Sequence, residues 1–202
     1  MDGTTFRTVV NQARTGNVKH TVKRIALALV LSLPAAADTS PPRAWKFTDR
    51  FDRLSAAWVK SAGDWTVENG ALVGRGAGAA DRCAVLTLKP PLRGATVLEV
   101  DATALALDTA SGLQIQFAGQ KFYHYGRVSG IWPPYATVQT GLAVDTPVKI
   151  RLRRTKDGYE FTVNDQVIVA KEGGPGEGVP PDEIVLWATY GAVIRYDNLR
   201  VR

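Results

Sequence analysis

The chain has 202 residues, one domain's length with an appendage, and carries 25 Lys and Arg against 19 Asp and Glu, a formal net charge of +6. The excess sits at the front: Arg7, Arg14, Lys19, Lys23 and Arg24 contribute +5 and Asp2 contributes −1, so residues 38–202 keep only +2. With no Lys/Arg run longer than two beyond that front segment and no RNA- or DNA-binding motif, the basic balance argues against a nucleic-acid partner.

Lys19, Lys23 and Arg24 precede an apolar run from Ile25 to Leu33, and Pro34-Ala35-Ala36-Ala37 follows. A charged region, an apolar core and a small-residue cleavage site are the three parts of a secretory signal. The span from Ile25 to Ala37 is thirteen residues and contains Pro34, too short to cross a bilayer as an ordinary helix. Residues 1–37 are therefore expected to be a signal peptide with an N-terminal extension, cleaved after Ala37. The expected destination is the periplasm or the extracellular space, with no stable membrane insertion once the signal is gone. Translation from Val18 would remove the unusual length of the charged region. Residues 38–44 read as a polar linker, and 45–202 as the folded domain. Cys83 is the only cysteine, so no intramolecular disulfide can form, and it is expected to pack as a small hydrophobe. A chain without disulfides relies on its core, and 165 residues are enough for one.

From Trp45 onward, short apolar runs alternate with Gly, Pro, Asn and Asp. Strands are predicted near Trp45–Thr48, Trp58–Lys60, Trp65–Glu68, Ala71–Arg75, Ala84–Lys89 and Ala95–Thr103. Others follow near Leu113–Ala118, Lys121–Val128, Ala136–Gln139, Val148–Arg154, Tyr159–Val163, Gln166–Ala170, Glu183–Thr189 and Ala192–Val201. No segment of the domain holds a helical period over three turns, and no internal repeat is visible. Many short strands at even spacing indicate an all-β sandwich or barrel. Asn69-Gly70, Asp157-Gly158 and Asn164-Asp165 are predicted hairpin turns, because these residues accept positive φ. Gly74–Gly78 and Gly173–Gly178 read as loops rather than phosphate cradles, since no strand-to-helix context surrounds them.

The stretch Leu113–Arg127 carries the strongest functional signal. Leu113, Ile115 and Phe117 alternate with Gln114 and Gln116, the pattern of a strand with one buried and one polar face. Ala118-Gly119-Gln120 reads as a tight turn into a returning strand. There Tyr123, Tyr125 and Arg127 share one face, and Phe122 and His124 the other.

Three segments resemble a known architecture. Phe47-x-Asp49-x-Phe51 with Trp65-x-Val67-Glu68-Asn69-Gly70-Ala71-Leu72 looks like the opening of concanavalin A-like lectin and glucanase (laminin G-like) sandwiches. Ile194–Val201 is similar to their usual close, and Val148–Arg154 with Tyr159–Asp165 resembles the intervening hairpin. The resemblance covers residues 45–202 and implies an all-β fold, a two-sheet antiparallel jelly-roll sandwich. That fold hosts lectins, hydrolases and adhesion modules, so it does not choose among them. Secreted bacterial members include laminarinase-type glucanases and 3-keto-disaccharide hydrolase-type domains.

The glucanase branch carries Glu-x-Asp-x-x-Glu on a strand. Glu99 and Asp101 match its first two acids and Ala104 stands at the third, where a leaving-group acid is needed. Glu99 and Asp101, and separately His124, are the catalytic candidates. Sugar recognition fits the residues better. Rings of Tyr123, Tyr125 and Trp132 would stack on pyranose C–H faces, while Gln114, Gln116 and Arg127 would hydrogen-bond hydroxyls, with Trp132-Pro133-Pro134-Tyr135 forming one wall. Asp49, Asp52 and Asp197 form a candidate structural calcium site if the chain ends pair. No other cofactor is expected, and with one histidine in 38–202 a His-based metal site is not. The expectation is an exported module binding a glycan on the concave face of its sandwich. A glycoside hydrolase or 3-keto-disaccharide hydrolase-like enzyme and a structural or adhesion module of the envelope are the alternatives.

Overall fold

The computed structural model describes residues 44–76, 83–108, 110–132 and 136–202. The leader over 1–37, its cleavage position, linker residues 38–43, Ala77 and Gly78 and the Pro133–Tyr135 wall lie outside the described residues. Among those described there are fifteen strands and no helix. The first eight are β1 (Phe47–Asp49), β2 (Trp58–Ala62), β3 (Asp64–Glu68), β4 (Ala71–Arg75), β5 (Ala84–Leu88), β6 (Val97–Ala106), β7 (Gly112–Phe117) and β8 (Gln120–Tyr125). The rest are β9 (Ser129–Trp132), β10 (Ala136–Val138), β11 (Val148–Arg154), β12 (Gly158–Val163), β13 (Gln166–Glu172), β14 (Val185–Thr189) and β15 (Val193–Val201).

Two antiparallel sheets share them. One runs β13-β12-β11-β6-β15-β4-β3, with β1 also paired to β15; the other runs β10-β9-β8-β7-β14-β5-β2. Consecutive strands β6 and β7 lie in different sheets, so the chain crosses the sandwich just before the tyrosine-rich hairpin. Inward residues of both sheets merge in one core: Leu98, Val100, Ile150, Leu152, Phe161 and Ile194 from the first, Leu86, Leu113, Ile115, Phe117, Phe122 and Leu186 from the second. Burying one such side chain contributes roughly 1.5–3 kcal/mol. These residues are what holds a disulfide-free sandwich together.

Two buried tyrosines of the first sheet reach across this core. Tyr159 donates to the Ala118 carbonyl at 2.9 Å, and Tyr196 donates to the Trp187 carbonyl at 2.7 Å. Burial pushes both phenols above their ordinary pKa, so both hydroxyls keep the proton they donate.

Three expectations change. The returning strand stops at Tyr125, where Gly126–Val128 turns and the Tyr125 N–H donates to the Val128 carbonyl at 2.9 Å. The chain then makes β9, which Ser129-Gly130 gives no alternation to announce. Asn69-Gly70, Ala118-Gly119 and Asn164-Asp165 all take positive φ, but Asp157-Gly158 does not. Gly158 is needed for closeness instead, since a Cβ there would collide with the Lys171 carbonyl oxygen. Finally, the Gly173–Gly178 loop docks on the β7–β8 turn. The Gly176 N–H donates to the Gly119 carbonyl at 2.7 Å, and buried Gln120 donates through its amide to the Gly174 carbonyl at 2.9 Å.

Candidate functional site

The face of the second sheet turned away from the core is built in rows, because register and period-two alternation together fix which side chains are neighbours. One row runs Val85, Trp187, Gln114, Tyr123 and Gly130. The next runs Val59, Thr87, Val185, Gln116, Lys121 and Trp132. On the other side of the first row, Tyr125 lies opposite Gly112, which lies opposite Thr189. Two amides, two tyrosines, two tryptophans and a lysine thus share one face.

Tyr125 is the joint of this surface. Its hydroxyl stands 3.2 Å from Gln114 Oε1, and its ring centroid is 5.1 Å from that of Tyr123. Burial, with Tyr190 close by, pushes its phenol up to about 12, so it is a permanent donor. Gly112 makes room for it: a Cβ there would meet the Tyr125 ring at 2.9 Å and collide with the His124 carbonyl. Tyr123 is only 7% exposed, whereas Trp132 is 44% exposed and Trp187 half-buried. The accessible aromatic surface therefore belongs to the tryptophans and Tyr125, with Tyr123 supporting them from beneath. Gln116, itself buried, points its amide at Glu183 across 3.5 Å, and Glu183 pairs with Lys89 at 3.2 Å.

Solved structures with this arrangement of two sheets include a β-glucanase from Bacillus licheniformis, with a TM-score of 0.63 and 10% identity over 79% of this chain and 99% of that one. A protein of unknown function with a galectin-like fold from Bacillus subtilis gives 0.64 and 12% over 79% and 96%. A carbohydrate-binding module from Bacillus subtilis gives 0.55 and 12% over 71% and 93%. The fold is the concanavalin A-like β-sandwich. At such identities the likeness speaks for the fold alone. No family model matches the chain, and no curated protein does.

The concanavalin A-like sandwich separates the sequence candidates. Gln114, Gln116, Tyr123, Tyr125 and Trp132 come together as above. Arg127 lies in the turn beyond β8 and is exposed, outside the rows that the strand fixes. Trp187, Lys121 and Glu183 join the face without having been singled out.

Glu99 and Asp101 lie on the far side of the sandwich, on the outer face of the first sheet. Arg200 Nε donates to Glu99 Oε2 at 2.8 Å, its Nη2 bonds the same oxygen, and Arg151 Nε stands 3.5 Å from the other. Asp101 accepts from Asn198 Nδ2 at 2.9 Å. Ala104 is fully buried in the core, so that position on β6 faces away from Glu99 and Asp101. A groove of about 530 Å³ opens there beside Trp45, whose ring centroid has the guanidiniums of Arg200 and Arg202 at 4.7 and 4.8 Å, and within it Glu99 is engaged by Arg200.

His124 is in the core, 2% exposed, with its ring edge-on to Phe161. Ser129 Oγ donates its single proton to the Thr140 carbonyl at 2.7 Å, so at 2.5 Å it accepts from His124 Nδ1–H. Burial lowers the imidazole pKa to about 4, and the ring is neutral at ordinary pH.

Asp49 accepts from the Phe51 N–H at 2.7 Å and from Trp58 Nε1 at 2.8 Å, one bond to each carboxylate oxygen. Asp197 accepts from the Asn198 N–H at 2.7 Å, and Asp52 is exposed. A cation would compete with protein donors at Asp49, and among the described residues no group of three or more His, Cys, Asp or Glu is arranged around a metal position.

Proposed function

We propose that the chain binds a carbohydrate on the outward face of its second sheet. The observation that carries this reading is the pair of adjacent rows in which Trp187, Gln114 and Tyr123 lie beside Gln116, Lys121 and Trp132. Flat rings offer stacking surface to pyranose C–H groups, and amides between them supply donors and acceptors for hydroxyls. Tyr125, Trp132 and Trp187 are the stacking groups, and Gln114 and Gln116 the hydrogen-bonding ones. The kinship in fold with a carbohydrate-binding module and a β-glucanase supports a glycan ligand. The leader pattern over 19–37 supports export.

Binding without turnover is favoured over hydrolysis by the supply of carboxylates. Glycoside hydrolysis ordinarily uses two facing acids, whereas the rows fixed by register hold no Asp or Glu, and Glu183 stands beside them, bonded to Gln116. A glycan array and a hydrolysis screen on the full-length chain, with Tyr125→Ala as control, test the proposal. Binding without turnover, lost in the control, is the expected result. Turnover would establish an enzyme, and silence in both assays would leave a structural module.

A further inference from the structure

Lys121 is the one cation standing within the aromatic rows. Its register neighbours are Gln116 on one side and Trp132 on the other, and its Nζ lies 6.0 Å from the Trp187 ring centroid. A ring face attracts an ammonium but does not neutralise it. Among the described residues no carboxylate stands within ion-pair distance of it. Glu183, the acid bonded to Gln116 on this face, is held by Lys89 at 3.2 Å. The face therefore presents a half-buried, uncompensated positive charge between two indoles.

We infer that the ligand is an acidic oligosaccharide whose anionic group, a carboxylate or a sulfate ester, is received by Lys121 while its neighbouring sugars stack on Trp132 and Trp187. This rests on the carbohydrate reading and adds the class of sugar. Trp132 and Trp187 are on β9 and β14, three strand spacings or about 14 Å apart, wider than one sugar ring. Rings carried on strands so far apart suit a chain of two or more units rather than a single monosaccharide.

The test is calorimetric titration of the full-length chain with matched pairs: an oligogalacturonide against its carboxyl-reduced form, and a sulfated galactan oligosaccharide that lacks uronic acid against its desulfated form. The acidic member of one pair is expected to bind about tenfold tighter than its neutral partner, the range of a charge-assisted hydrogen bond. Which pair shows it separates carboxylate from sulfate. The preference should shrink at about 0.5 M salt, where screening acts within a few Å. Lys121→Gln should abolish it and Lys121→Arg should keep it, with unchanged thermal midpoints. Equal binding of acidic and neutral members, or a preference that survives in Lys121→Gln, would overturn the inference and leave the carbohydrate reading standing. If Lys121→Gln fails to fold, the salt dependence of the parent protein decides. No binding to any member of either pair, alongside a silent glycan array, would overturn both.

Discussion

The hydroxyl of Tyr196 donates to the backbone carbonyl of Trp187, joining the core of one sheet to the strand that presents an aromatic ring on the other. Tyr196 is fully buried and stacks with Trp65 at 6.2 Å between centroids, so it cannot follow Trp187 if β14 shifts. Tyr196→Phe keeps the ring and removes the bond, leaving the Trp187 carbonyl without its donor. The expected loss is about 1–2 kcal/mol of stability, read as a lower urea midpoint at unchanged m. Faster hydrogen exchange along β14 should accompany it. An unchanged midpoint would show that this bond is not what fixes the strand.

Trp187→Ala should reduce glycan affinity about tenfold or more, because removing an aromatic anchor removes stacking area that no neighbour replaces. Tyr125→Phe should cost less than Tyr125→Ala, since it keeps the ring and gives up only the hydroxyl near Gln114. Calorimetry on the three variants checks the order. Affinity untouched by Trp187→Ala would move the binding surface elsewhere.

The tyrosine face was readable in the sequence because Leu113-Gln-Ile-Gln-Phe alternates without exception, and alternation assigns faces before any pairing is known. Trp187 was not. It lies in Val185-Leu-Trp-Ala-Thr, apolar on both sides of the strand, so only its register opposite Gln114 shows that it faces out. Arg127 was placed on the face by extending the alternation two residues past Tyr125, where the chain already turns. Parity put His124 on the inner side of its strand, and there it lies. The ends of the strands were less legible than their middles, because a turn depends on φ values and close approaches that residue type only constrains. Asp157-Gly158 shows this, with a glycine required for contact with Lys171 rather than for its backbone angle.

Glu99→Gln should leave glycan binding unchanged within about twofold, since Glu99 lies on the opposite side of the sandwich from the tyrosine face. Its cost should be structural. The Glu99 side chain is 10% exposed and its charge answers Arg200 and Arg151, themselves about two-fifths exposed. Solvent at the arginines discounts the loss to about 1–2 kcal/mol, below that of a wholly buried pair. Urea unfolding and calorimetry separate the two effects. Lost binding at unchanged stability would make Glu99 a functional residue after all.

His124 gives the fold a pH dependence with a defined sign. Its folded pKa, lowered to about 4 by burial, lies below the unfolded value of 6.5. Between those values the unfolded chain binds the extra proton, so stability rises with pH across the window and is lost as the solution is acidified. Lowering pH from 7 to 5 should cost about 2 kcal/mol from this residue alone. Protonation would also put a second proton on a ring whose Nδ1 already donates to Ser129, and set a charge beside Phe161. His124→Gln is the control: it should be less stable at pH 7, yet its urea midpoint should fall less between pH 7 and 5 than the parent's. Parallel pH profiles for the two proteins would mean that other groups govern the acid sensitivity. Glu68, whose pKa is lowered by its bonds to Thr66 and Arg75, adds acid sensitivity of the same sign, its contribution being lost as pH falls through its folded pKa.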